Sequence, residues 1–239
     1  MLYLSRLFLN TRNRDAQREL ADCNRLHARV MAAFPNAPGS IAARGHFGVL
    51  YRLELMGEPS QARLLVQSNH LPDWSSLPSG YLAPSADDRG NPAVRSIEEE
   101  IGRVHAGMRM CFRLRANPTK RISERNAEQD SRWHGKRVEL QRETDQISWL
   151  ERKASEGGFQ LLGVKLAGSQ VPDVRIHDAP KQYGRRGDAR LSFGVALFEG
   201  QLEVTDAARF SEALRVGIGS AKAYGFGLLS VALLAGGVA

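Results

Sequence analysis

The chain has 239 residues, with 33 Lys and Arg against 26 Asp and Glu for a formal net charge of +7, and 42% of it is hydrophobic. That composition excludes a disordered or fibrous chain, and the length suits one large domain or two small ones. The apolar run from Leu228 to Ala239 is too short and too glycine-broken to span a bilayer. Met1–Leu9 carries Arg6 within an alternating pattern and does not read as a secretion signal. The two cysteines, Cys23 and Cys111, form no CxxC pair, which excludes a disulfide scaffold and suits a reducing cytoplasm. Excess positive charge without a membrane segment favours a polyanionic partner, nucleic acid first.

In chain order, Leu2, Leu4, Leu7 and Leu9 predict a strand, and Asn13 predicts the N-cap of a helix with Asp15 in its first turn. Ala16, Leu20, Cys23, His27 and Val30 step by three and four and predict one continuous helix, ended by Phe34-Pro35-Asn36. Extended runs follow at Phe47–Leu55 and Arg63–Gln67. Strand, helix, strand, strand is the opening of a ferredoxin-like unit. A Pro-, Asp- and Gly-rich loop at Pro84–Pro92 separates this half from the next.

The second half begins with a strand at Met108–Arg115, and a short strand is expected at Lys136–Leu140. Thr144 is the expected cap of a helix carrying Ile147, Leu150 and Ala154 on one face, stopped by Gly157-Gly158. Strands are expected at Phe159–Val164, Leu191–Phe198 and Leu202–Val204. A short helix presents Phe210, Ala213 and Leu214, and Leu228–Leu233 is the final strand.

None of the six histidines, His27, His46, His70, His105, His134 and His177, stands at HxH or HExxH spacing, so no metal site is expected. Cys23 and His27 are neighbours on a helix, but a helical i,i+4 pair does not supply the geometry of a thiol nucleophile and its base. By periodicity alone, His27 is a half-buried core histidine between solvated Arg25 and Arg29. Gly217, Gly219, Gly225 and Gly227 fall within eleven residues around Lys222. Such a run either lets backbone amides approach an anion or makes a demanding helix-to-strand turn. Alternation puts Arg113 and Arg115 on the same strand face as Cys111. With Lys120-Arg121, Lys136-Arg137 and Arg185-Arg186 they offer a phosphate-binding surface, although solvated loops account for Lys120-Arg121 and Arg185-Arg186 nearly as well.

Phe112-Arg113-Leu114-Arg115-Ala116-Asn117-Pro118-Thr119-Lys120, Gly135-Lys136-Arg137, Ser148-Trp149-Leu150-Glu151-Arg152-Lys153, Leu197-Phe198-Glu199-Gly200 and Gly225-Phe226-Gly227-Leu228-Leu229-Ser230 follow in order. With Met1–Leu9, Leu26-His27 and Phe34-Pro35-Asn36, this series resembles the CasE family, the CRISPR RNA-processing endoribonuclease of the type I-E Cascade complex, over nearly the whole chain. The resemblance implies an α+β fold of two tandem ferredoxin-like (RAMP, RRM-like) domains, expected at residues 1–88 and 89–239. It implies metal-independent, cofactor-free cutting of CRISPR precursor RNA on the 3′ side of the repeat stem-loop, with the product kept as a Cascade subunit in the cytoplasm. His27 falls where the family carries its catalytic histidine.

An imidazole with an ordinary pKa near ~6.5 suits abstraction of a ribose 2′-OH proton at neutral pH. The resemblance makes Asn24 and Arg25 supporting residues and the basic residues above apart from Arg121, with Lys222, candidates for RNA contact. Members carry a tyrosine where Asn24 stands and commonly a proline where Ser220 stands. Asn24 holds no phenolic proton, which also admits a rival reading as a crRNA hairpin-binding subunit that does not cut. A metal-dependent nuclease is disfavoured because no carboxylates cluster at ligand spacing.

Overall fold

The computed structural model describes residues 1–39, 42–55, 61–84, 88–122, 137–166 and 168–234. Strand β1 (Tyr3–Asn10) buries Ser5, Leu7 and Leu9 on one face, and Ser5 Oγ accepts a 3.2 Å hydrogen bond from Trp74 Nε1. Two helices follow where the spacing predicts one: α1 (Arg14–Leu20) and α2 (Cys23–Met31). Asn13 caps α1 as expected. The break between them comes from Asp22, whose carboxylate accepts the Asn24 and Arg25 N–H groups and starts a new helix. A short helix α3 (Ala43–His46) precedes β2 (Leu50–Leu55) and β3 (Gln61–Ser68).

Strand β4 (Ala93–Ser96) pairs antiparallel with β1, closing a sheet of order β2-β3-β1-β4. That is the strand order of a ferredoxin-like unit. The first sheet therefore extends past the junction expected after residue 88. No helix lies between β3 and β4 among the described residues; Trp74 and Tyr81 from the intervening loop cover the core instead, with Leu7, Leu26, Val30 and Phe34.

After α4 (Glu98–Gly102) the second half runs β5 (Arg109–Ala116), β6 (Thr119–Arg121), β7 (Arg137–Glu139) and α5 (Glu143–Glu156). Thr144 lies inside α5 and not at its cap; Arg142 holds that position without a side-chain hydrogen bond. Next come β8 (Phe159–Leu161), the β9 (Gly163–Leu166)–β10 (Ser169–Pro172) hairpin, β11 (Val174–Arg186), β12 (Ala189–Val204), α6 (Ala207–Val216) and β13 (Leu229–Leu233). The sheet order is β11-β12-β5-β13, and β8 pairs with the far end of β12. The two strands expected at 191–198 and 202–204 are one, because Gly200 stays in the ladder opposite Phe112. Trp149, Leu150, Phe159, Phe198 and Phe210 fill the second core, which also takes Leu2 from the amino end.

The halves are joined by polar side chains that have left water. Arg52, 3% exposed, donates to the carbonyls of Arg113 and Leu228 and to Ser230 Oγ. Burial alone would raise the Glu54 carboxyl, but Arg52, Arg63 and Arg113 around it hold it below the usual range. Gln67 Nε2 donates to Leu214 O at the end of α6, and the Tyr51 hydroxyl donates to Ala223 O at 2.8 Å.

Candidate active site

His27 sits in the middle of α2, the helix that Asp22 starts. Its Nδ1 is buried without a hydrogen-bond partner, which few buried polar atoms tolerate. Burial, then the charges of Arg44 and Arg186, hold the imidazole below its ordinary 6.5. The neutral ring, a proton acceptor, is the form this environment favours near neutral pH. The tip of the β11–β12 hairpin reaches the N-terminus of α2, where Arg185 N lies 3.4 Å from Asp22 Oδ1. A Cβ on Gly184 would stand 2.7 Å from Cys23 Sγ, so the backbone can approach α2 only as glycine. Burial and Asp22 push the Cys23 thiol up to about 11, away from thiolate chemistry.

The third wall is the glycine-rich segment. It contains a 3₁₀ turn, Lys222–Tyr224, flanked by Ala221 at φ +56° and Gly225 at φ +82°. Tyr224 meets the His27 ring edge-on, with centroids 6.1 Å apart. Lys222 Nζ donates to Val216 O at 2.8 Å, and burial plus the charges of Arg44 and Lys153 lower its pKa. Four elements thus converge, α2, α3, the end of β11 and the 3₁₀ turn: the charges of Arg44 and Arg186 act on the imidazole, and Lys222 stands on the turn whose Tyr224 touches it. From Lys222 a groove of about 690 Å³ runs outward between the β6–β7 hairpin and helices α5 and α6, lined by Arg121, Arg137, Arg152, Lys153 and Arg209. His27 does not itself line the groove, but the turn that carries Lys222 also carries Tyr224 against the imidazole, and a base there can take a hydroxyl proton beside a phosphodiester held by the groove.

A sequence model of the CRISPR associated protein family matches residues 2–232. The chain belongs to that family. It is 36% identical over 233 residues to the CRISPR-associated endoribonuclease Cse3 of Thermus thermophilus, covering 97% of this chain and all of the relative. To the CRISPR system Cascade subunit CasE of Escherichia coli it is 30% identical over 237 residues, covering 98% of this chain and 100% of that protein. A solved structure of Thermus thermophilus Cse3 bound to an RNA representing a pre-cleavage complex matches at a TM-score of 0.74 and 35% identity, over 97% of this chain and 98% of that one.

In this CRISPR associated protein the residues singled out from sequence separate into three groups. His27 and Arg186 meet at the site, with Lys222 on the adjoining 3₁₀ turn, Asn24 one turn before the imidazole and Arg185 beside the start of α2, whereas Arg25 is exposed on another side of the helix and pairs with Asp22. Arg137, Gly217 and Gly219 line the groove. Lys120 is exposed on β6, where alternation sends it away from Thr119 and Arg121, the two β6 residues that line the groove. Lys136 and His134 lie outside the described residues.

Arg113 and Arg115 correct the expectation of an RNA-facing strand. They do share a face of β5, but that face packs towards the first half. Arg113 pairs with Glu54 and Glu199. Arg115 lies over the Phe226 ring and donates to Gln182 Oε1 and Gly225 O; burial lowers its pKa to about 10. Arg113 ties β5 to β2 and β12, and Arg115 ties it to β11 and the glycine-rich segment.

Arg44, Arg152, Lys153, Arg209 and Tyr224 were not legible as site residues in the sequence. Each is an ordinary helix or turn residue until the chain folds. Among the described residues no helix is long and apolar enough to cross a membrane.

Proposed function

We propose that the protein is an endoribonuclease that cuts CRISPR precursor RNA on the 3′ side of the repeat stem-loop without a metal ion, and then stays bound to the crRNA within Cascade in the cytoplasm. The observation that carries this reading is His27, a neutral imidazole with an orphaned buried Nδ1 beside Arg44 and Arg186, in ring contact with Tyr224 of the turn whose Lys222 lines a basic groove. Support comes from relatives named as an endoribonuclease and a Cascade subunit, and from the RNA-bound Cse3 structure. Two unpaired cysteines, one of them exposed, suit a reducing compartment.

His27 takes the proton of the ribose 2′-OH at the cut. The 2′-oxygen forms a bond to the adjacent phosphorus as the bond to the 5′-oxygen breaks, leaving a 2′,3′-cyclic phosphate and a 5′-OH. Negative charge builds on the phosphoryl oxygens in the transition state, where Lys222, Arg44 and Arg186 stabilise it without rearranging. A-form RNA hides its base edges in a deep, narrow major groove, so the stem is gripped by phosphate contacts from Arg121, Arg137, Arg152 and Lys153. The first ferredoxin-like unit, which runs through β4, supplies the base, and the second supplies the groove and the glycine-rich segment.

The test is incubation of the protein with its CRISPR repeat RNA in excess EDTA, beside a copy carrying a single 2′-deoxy nucleotide 5′ of the cut. Cutting of the first and sparing of the second is the expected result. Tight binding with no cutting of either favours the non-catalytic hairpin-binding subunit, and cutting of both excludes 2′-OH attack.

A further inference from the structure

We propose that Tyr224 is the proton donor to the leaving 5′-oxygen, working as the acid partner of His27; this rests on the endoribonuclease reading above. The chemistry asks for such a group. Transesterification by a neighbouring 2′-OH is an isomerisation with no net change in protons, so the proton removed at the 2′-oxygen must be matched by one delivered to the 5′-oxygen. An alkoxide leaves poorly without it.

Of the side chains around His27, few can give a proton. The amide of Asn24 is too weak an acid, and the guanidiniums of Arg44 and Arg186 do not deprotonate in proteins. The Lys222 ammonium is anchored to the Val216 carbonyl at 2.8 Å. Tyr224 is the phenol in ring contact with the imidazole, at 6.1 Å between centroids and 67° between planes.

The fold fixes that phenol with unusual care. Phe193 stacks on the Tyr224 ring at 4.9 Å. The carbonyls on either side of the residue are both held: Ala223 O by the hydroxyl of fully buried Tyr51, and Gly225 O by Arg115. Ala221 enters the turn at φ +56°, a left-handed conformation that a residue with a Cβ adopts only when its surroundings impose it. All this rigidity ends in a hydroxyl that makes no hydrogen bond among the described residues.

The cycle closes on its own groups. His27 removes the 2′-OH proton as the 2′-oxygen bonds to phosphorus. Tyr224 gives its phenolic proton to the 5′-oxygen as the phosphorus–oxygen bond breaks. The imidazolium then returns its proton to the phenolate, directly or through one water, and both side chains are reset.

The experiment compares single-turnover cutting of two repeat RNAs, one ordinary and one with sulfur replacing the bridging 5′-oxygen at the cut. A thiolate leaves without a proton, so the sulfur RNA no longer needs an acid. Tyr224→Phe keeps the ring and its stacking. It is expected to slow the ordinary RNA by ~100-fold or more while cutting the sulfur RNA at close to the wild-type rate, whereas His27→Ala is slow on both.

Tyr224→Phe cutting the ordinary RNA like wild type overturns the proposal. Equal slowing on both RNAs also overturns it, because the ring then matters only for packing. Rescue by sulfur in Lys222→Ala but not in Tyr224→Phe gives the acid role to Lys222 and overturns it too. A wild-type protein that cuts neither RNA removes the endoribonuclease reading, and the acid role with it.

Discussion

Burial depresses the pKa of His27, and the charges of Arg44 and Arg186 add to the same effect. Protonation inactivates a general base, so a lowered pKa keeps His27 competent further into acid. Cutting at subsaturating RNA, which reports the free protein, is expected to be flat above neutral pH and to fall only below the ordinary 6.5. Arg44→Gln removes one of the repelling charges, so its acid limb is expected at higher pH than wild type. A pH–rate profile of the two proteins checks this, and an acid limb that stays put means Arg44 is electrically silent at the base. His27→Ala is expected to abolish cutting while the hairpin still binds, measured by filter binding beside the cleavage assay. At this scale the sequence carried part of the answer. The position of His27 was legible from the resemblance, but its orphaned Nδ1 and its cationic neighbours were not, because Arg44 and Arg186 stand 17 and 159 residues away in the chain.

Between residue and fold, the glycine-rich segment shows why pattern reading left two alternatives. Its four glycines all sit at positive φ, and their lack of side chains serves packing. A Cβ on Gly225 would stand 2.9 Å from the buried Tyr51 ring, and one on Gly217 would meet Gly227 O and Leu50 at 2.8 Å. The demanding turn is therefore the structural role of these glycines, and Lys222 and Tyr224 are what the turn presents. Gly225→Ala places a side chain at φ +82° against a ring that cannot yield. It is expected to cost roughly 2 kcal/mol in a denaturant melt and to slow cutting as the turn shifts. An unchanged melt with slow cutting instead means that the loop's role is to approach the phosphate. Helix α2 teaches the converse lesson. The apolar spacing ran unbroken from Ala16 to Val30, yet a side-chain acceptor at Asp22 outweighed it and began the helix that carries His27.

Across the whole molecule, the distribution of arginines decides which surface is available to RNA. Arg52 on β2 and Arg113 on β5 are spent on bonds between the halves, whereas Arg121 and Arg137 face each other across the β6–β7 ladder and line the groove. Replacing both with Ala is expected to flatten the salt dependence of hairpin binding, by roughly 0.7–0.9 in slope for each phosphate no longer neutralised. Arg113→Ala is expected to keep the wild-type slope but melt earlier, since it removes a partner from both Glu54 and Glu199. Binding isotherms over a salt series, with thermal melts alongside, separate the two. An unchanged slope in the double variant takes these two arginines out of the RNA interface.

The sequence by itself determined much of the strand and helix order and most of the core positions, because periodicity, caps and glycine stops act over a few neighbouring residues, and its resemblance to a family marked the imidazole. Tertiary structure alone decided which cations face RNA and which brace the halves, where the first sheet ends, and which phenol faces His27. Those outcomes depend on strands pairing across the chain, as β4 does with β1, and on a hairpin tip and a glycine-rich turn arriving at one helix from another half of the molecule. No local pattern encodes that meeting.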